Sequence, residues 1–213
     1  GMNVFKVIFG SLHWALLLLS NCVYNSRTNE QNTLAHVLTD PERETLQATH
    51  KGFIEVYALY DHSYVSQFNN TYEAENYILQ IFKYANAVFQ KVEVMIVLLG
   101  IEKVDRVTLS GGIDVSIGNL LAYKKTFSIE HDYLMLFTND QIDGKLRSIY
   151  FAEGMCHSEK SAGVVKASIP ASVTLVAWIV ANQLALSLGM RNDTDKCVCH
   201  EQHCIMQEVP RRP

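Results

Sequence analysis

The chain contains no cluster of lysine and arginine. Its 18 Lys and Arg are outnumbered by 22 Asp and Glu, for a formal charge of −4. Phosphate backbones are held by clustered cations, so a nucleic-acid partner is excluded; the terminal pair Arg211-Arg212 is too short to serve. Equally missing are a G-x-S-x-G elbow, a phosphate-binding P-loop and a Gly-rich dinucleotide turn, which removes the serine hydrolase, NTPase and dinucleotide-dependent classes. Gly111-Gly112 is only a turn. There is no internal repeat and no low-complexity tract. An unbroken membrane-spanning run is lacking too. Ala171–Met190 carries no formal charge and has the necessary length, but Asn182 and Gln183 stand side by side near its middle, and Ser172, Thr174 and Ser187 dilute it further. Side-chain amides in lipid are costly unless paired, so the segment reads as a buried central helix and no membrane span is expected.

What is present suits one globular domain: 213 residues, 48% hydrophobic and 19% charged, enough to bury a core. Residues 1–22 read as a secretory signal. Lys6 precedes the apolar run VIFGSLHWALLLL, and Ser20 and Cys22 put small residues where cleavage would occur. The product is then secreted, extracellular or held at the cell surface, where disulfides form. Four cysteines remain after such cleavage: Cys156, Cys197, Cys199 and Cys204. Two sequons, Asn69-Asn70-Thr71 and Asn192-Asp193-Thr194, make Asn69 and Asn192 the expected glycosylation sites.

Residues 23–50 are polar and without period, a linker or pro-domain remnant, with a short helix start at Thr39-Asp40-Pro41-Glu42. From residue 51 to 213 the texture is that of a folded domain. GFIEVYALYD, Gly52–Asp61, predicts a strand. Ile78, Phe82, Ala85 and Phe89 recur at helical spacing over Tyr72–Gln90, with Thr71 as N-cap. The near-continuous apolar run Val92–Val104 predicts a strand covered on both faces. A helix over Ser116–Phe127, strands over Asp132–Thr138 and Lys145–Phe151, and the central helix Ser172–Leu188 complete an α/β pattern with a mixed, mostly parallel sheet. His62, His131 and His157 are isolated and are expected at the surface.

Several of these stretches, taken in order, resemble the adamalysin/reprolysin family, the ADAM-type metzincins. They are GFIEVYALYDHSYVSQFNN from Gly52, ANAVFQKVEVMIVLLGIEKVD from Ala85, DYLMLFTNDQIDGKLRSIYFAEGMC from Asp132, SAGVV from Ser161 and LGMRNDTDKCVCHEQHCIM from Leu188. The resemblance implies a zincin-like fold around a former active-site helix. In working members the motif is H-E-x-x-H-x-x-G-x-x-H. Two histidines four residues apart share one helix face, a glycine turns the chain, and the third histidine closes the zinc site, while the glutamate takes a proton from zinc-bound water.

On this sequence the ligand positions fall on Asn182, Leu186 and Asn192, and the base position on Gln183, while Gly189 and the Met-turn residue Met206 are retained as structural turns. Neutral amides and an aliphatic side chain are poor zinc ligands, and a glutamine amide is no base. The resemblance therefore implies a pseudo-metalloprotease with no catalytic residue, no metal site and no cofactor, zinc being lost. Non-catalytic members act in adhesion and recognition, which implies a protein partner such as a cell-surface receptor. The alternatives are a zinc metalloendopeptidase, as the family in general would be, and an unstable truncated splice product. The resemblance also implies a Cys199–Cys204 disulfide and a domain that is incomplete at its C-terminus. Cys156 and Cys197 then pair with each other, stay free, or cross-link chains. Read in a reducing compartment instead, CVCHEQHC, Cys197–Cys204, would suggest a small zinc site.

Overall fold

The computed structural model describes residues 52–105, 113–142, 146–169, 171–192 and 205–206. The expected signal segment, the 23–50 linker, Gly111-Gly112 and Cys197, Cys199 and Cys204 lie outside these. Strand β1 (Gly52–Tyr60) leads through a one-turn helix α1 (His62–Val65) into α2 (Thr71–Phe89). A short 3₁₀ turn then precedes β2 (Val94–Lys103), followed by α3 (Ile113–Lys124), β3 (Tyr133–Thr138), β4 (Ser148–Tyr150), β5 (Ala162–Lys166) and α4 (Val173–Ser187). The five strands form one sheet in the order β2-β1-β3-β5-β4. All neighbours run parallel except β4, which is antiparallel to β5. Parallel neighbours need crossover connections, and helices supply the first two, α1 and α2 between β1 and β2 and α3 between β2 and β3.

Alternation along the strands builds two hydrophobic layers. Val56, Ala58 and Tyr60 of β1, with Tyr133, Met135 and Phe137 of β3, pack with α2 and α4. Tyr57, Leu59, Leu134 and Leu136 point to the other side and meet Ile117 and Leu120 of α3. The sheet is thus covered on both faces, the rule for mostly parallel sheets, and β3 at its centre is buried at every position.

Three expectations change. First, β2 lies at an edge of the sheet and most of it is only half-buried, although its apolar run reads as a strand covered on both faces. Its register against β1 slips between Val56 and Tyr57, where Leu98 and Gly100 are consecutive partners, leaving Leu99 extra. A Cβ on Gly100 would come within 2.7 Å of the Tyr57 ring, so the ring lies over a residue without a side chain. Second, α2 is capped by Asn70 rather than Thr71. The Asn70 side chain accepts from Glu73 N at 2.9 Å, and the Glu73 carboxylate in turn accepts from Asn69 Nδ2 at 3.0 Å. Third, β5 is a strand in its own right, between β3 and β4.

Helix α4 begins with Ser172, whose hydroxyl accepts from Leu175 N at 3.2 Å. It ends in a Schellman motif: Met190 N donates to Ala185 O at 3.0 Å and Gly189 N to Leu186 O at 3.1 Å. Gly189 sits at φ 89°, a left-handed conformation that glycine adopts without the Cβ penalty. The loop after β4 docks on the same end: Glu153 N donates to Leu186 O at 3.0 Å and Met155 N to Ser187 O at 2.9 Å. Among the described residues no helix is long and apolar enough to cross a membrane.

Candidate functional site

Helix geometry places residues 182 and 186 one turn apart on one face, and 183 and 187 one turn apart on the next. The structure gives these faces different surroundings. Asn182 is half-buried, and its Nδ2 donates to Ile205 O at 2.6 Å. Ile205 and Met206 pack against the α2–α4 core, so Asn182 ties the Met206 turn to the helix. Gln183 has 0% exposure. Its Nε2 donates to the Tyr133 hydroxyl at 3.0 Å, and Ser187 Oγ donates to the same hydroxyl at 3.2 Å. Leu186 is 7% exposed, and Asn192 is exposed just beyond the Schellman turn.

The knot under the helix is tight. A Cβ on Gly163 of β5 would overlap Gln183 Nε2 and come within 2.5 Å of the Tyr133 hydroxyl and 2.8 Å of Ile149 O. Burial pushes the Tyr133 phenol up to about 12; the bonds from Ser187 and Gln183 work against that shift. Tyr133 therefore stays neutral at physiological pH. Gln183 Oε1 is buried without a partner.

Zinc, which working proteins with the resembled motif hold, does not fit these residues. Asn182 has its amide nitrogen committed to a backbone carbonyl, Leu186 has no donor atom, and Gln183 is turned into the sheet beneath the helix. Among the described residues no group of three or more His, Cys, Asp or Glu is placed to hold a metal ion. What the arrangement does chemically is hold structure: three neutral polar groups, two from α4 and one from β3, lock helix to sheet.

Other titratable groups gather near the same strand starts, just ahead of β3 and β5. The Lys124 ammonium at the end of α3 donates to Ser161 O at 3.0 Å and also to Ser161 Oγ, so that α3 is stapled to the start of β5. Burial lowers its pKa to about 8. His131 is not the surface residue expected. It lies edge-on to Phe127, ring centres 5.5 Å apart, with Nδ1 2.6 Å from Ile129 O and Nε2 buried without a partner. Burial brings it down to about 4. His62 and His157 are exposed as expected. Next to His131, Asp132 Oδ2 accepts from Glu55 N at 2.8 Å, and burial raises its pKa.

Tyr133 was not singled out from the sequence, Ser187 was noted only as a break in the apolar run, and Gly163 only within the SAGVV stretch. A signal for two of them is there: Tyr133 is a polar-tipped aromatic in an apolar strand, and Ser187 follows Gln183 by one helical turn in an apolar helix. Nothing local marks Gly163. Cys156, on the loop that docks against the end of α4, is disulfide-bonded.

Comparison with known proteins bears on the same residues. A family model described as Reprolysin (M12B) family zinc metalloprotease matches residues 52–212. The zinc metalloproteinase recombinant fibrinogenase II of Deinagkistrodon acutus is 26% identical over 165 residues, covering 72% of this chain and 69% of that protein. A solved structure described as a chaperone–substrate complex superposes with a TM-score of 0.54 at 10% identity, over 67% of this chain and 25% of that one. That last likeness concerns the fold alone, and the chain spans only a quarter of the length of its counterpart.

Proposed function

Because the chain belongs to the reprolysin family of zinc metalloproteases, we propose that it is a member in which the helix that elsewhere holds zinc has been turned over to structure, leaving a secreted or cell-surface recognition module that binds another protein. One observation carries this reading. The Asn182 amide, at the first ligand position of the family motif, is bonded to Ile205 O, while the side chain one turn on is Leu186. Catalysis by a bound, zinc-activated water needs three ligands and a base. At these positions the chain offers two amides, an aliphatic side chain and a glutamine buried against Tyr133.

The family description itself favours the alternative, a zinc metalloendopeptidase. Metal analysis and peptide cleavage on one purified sample of the full chain separate the two. The expected result is no stoichiometric zinc after dialysis and no chelator-sensitive cleavage. One zinc per chain together with cleavage would overturn the proposal. Attachment of cells to the immobilised chain, abolished by competing soluble chain, is the expected sign of the recognition role. Retention and degradation inside a secretory host would favour the unstable splice product instead.

A further inference from the structure

We propose that Asn69 receives an N-linked oligosaccharide before α2 folds, and that the finished fold mounts this glycan over two exposed apolar side chains, Tyr72 and Ile169; this rests on the secretory part of the reading above. The sequence names Asn69 only as the acceptor of Asn69-Asn70-Thr71. The structure adds where these residues stand and what holds them. All three are exposed, Asn69 and Asn70 in the turn after α1 and Thr71 as the first residue of α2.

The turn is a firm mount. Before Asn69, the Phe68 ring packs on the rings of Tyr64 and Tyr77, with centroids 5.1 and 5.6 Å away. Gln67 is tied twice to the segment after β5: its Nε2 donates to Ala167 O at 2.9 Å, and its Oε1 accepts from Ile169 N at 2.7 Å. After Asn69, the Glu73 carboxylate gathers the helix cap. It accepts from Asn69 Nδ2 at 3.0 Å, from Asn69 N at 3.4 Å and from Asn70 Nδ2 at 3.3 Å, while Glu73 N donates to Asn70 Oδ1 at 2.9 Å.

This network makes the folded sequon a poor acceptor. The nitrogen that must attack already donates to a carboxylate, and Thr71 is held in the helix. In the unfolded chain the restraint is absent, because most helical stability comes from tertiary packing. Transfer therefore belongs to the nascent chain. A lipid-pyrophosphate-linked oligosaccharide is the donor. The bond from the sugar C1 to the phosphate oxygen breaks, a bond from C1 to Asn69 Nδ2 forms, the lipid pyrophosphate leaves, and one amide proton goes to solvent. A primary amide carries two N–H donors, so the linked nitrogen keeps one for Glu73 and the cap closes beside the sugar.

Tyr72 is 77% exposed and Ile169 45% exposed. Tyr72 follows Asn69 by three residues, and Ile169 is bonded to Gln67, two residues before it. A bulky, solubilising glycan rooted beside them covers both. A protein partner then docks away from the α1–α2 corner.

The test uses the full chain, translated with microsomes and secreted from mammalian cells, with glycopeptides mapped before and after glycosidase treatment. The expected result is a modified Asn69 peptide, lost in Asn69→Gln and equally in Thr71→Ala, which leaves the Asn70 cap in place. Purified oligosaccharyltransferase, given lipid-linked donor, should modify the folded unglycosylated chain about tenfold more slowly than a synthetic peptide spanning residues 64–77, because the cap must first open. An apolar dye should bind the secreted chain several-fold more weakly than either variant, and Tyr72→Ser combined with Ile169→Ser should remove that difference. A chain inside the microsomes with Asn69 bare, equal rates for folded chain and peptide, or equal dye binding with and without the glycan overturns the proposal alone. Exclusion of the chain from the microsomes overturns it together with the secretory reading.

Discussion

Tyr133→Phe removes a single oxygen, yet that oxygen accepts two hydrogen bonds in a site with no water access: Gln183 Nε2 at 3.0 Å and Ser187 Oγ at 3.2 Å. The two donors respond differently. Ser187 can swing its hydroxyl to the carbonyl of Gln183 one turn earlier in the helix, a bond that serines in helices commonly make. The Gln183 amide has no such recourse, because the residue has 0% exposure and Gly163 and Ile149 close the site beside it. A buried donor left unpaired costs ~1–3 kcal/mol, so the substitution should destabilise by about 2 kcal/mol.

Gln183→Leu should act differently. It gives up one hydrogen bond but also removes the orphaned Oε1 acceptor, so its cost should stay within about 1 kcal/mol. In the double variant no amide is left unpaired, and the two changes together should cost less than Tyr133→Phe alone. Denaturant unfolding followed by far-UV circular dichroism gives all four corners of the cycle. A cost for Tyr133→Phe under about 0.5 kcal/mol, or strictly additive effects, would refute the hydrogen-bonded knot.

Gly163→Ala inserts a methyl group 2.5 Å from the Tyr133 hydroxyl and should lower stability by about 3 kcal/mol, seen as an earlier denaturant midpoint. Asn182→Ala breaks the 2.6 Å bond to Ile205 O; it should cost about 1 kcal/mol and speed proteolysis around residues 205–206. His131 predicts acid sensitivity. Its folded pKa of about 4 lies below its usual 6.5, so the unfolded chain binds more protons between these values. Its penalty is complete below about pH 4 and gone above 6.5, which makes stability rise with pH across that window by up to about 3 kcal/mol. Asp132, with its raised pKa, opposes this in part, while Lys124 adds to the charge His131 must face. His131→Leu should flatten the stability difference between pH 4.5 and pH 7 in urea melts, and an unchanged difference would sink the assignment.

Local pattern carried much of the fold. Helix α2 was legible because Ile78, Phe82, Ala85 and Phe89 repeat at its period, and β1 because β-branched and aromatic residues cluster in it. The edge position of β2 was not legible: the strand order places it outermost, and order across a sheet is written in contacts between distant segments. The burial of His131 depends on a ring from Tyr57, brought across from another strand. At the site, the sequence told which side chains occupy the motif positions but not where they turn. Gln183 meets Tyr133 across fifty residues of chain, and only the stacking of α4 on β3 aims the amide at the phenol.

The Tyr133–Gln183–Ser187 knot also bears on what building a metal site on this helix would take. Placing histidine at 182 alone gives up the tether to Ile205 without completing a ligand set. Placing glutamate at 183 alone puts a carboxyl group where the side chain has 0% exposure, and burial favours its proton-bound, non-basic form. Each such substitution is a loss until all are made, so the interlock behaves as a ratchet that holds the helix in its structural role.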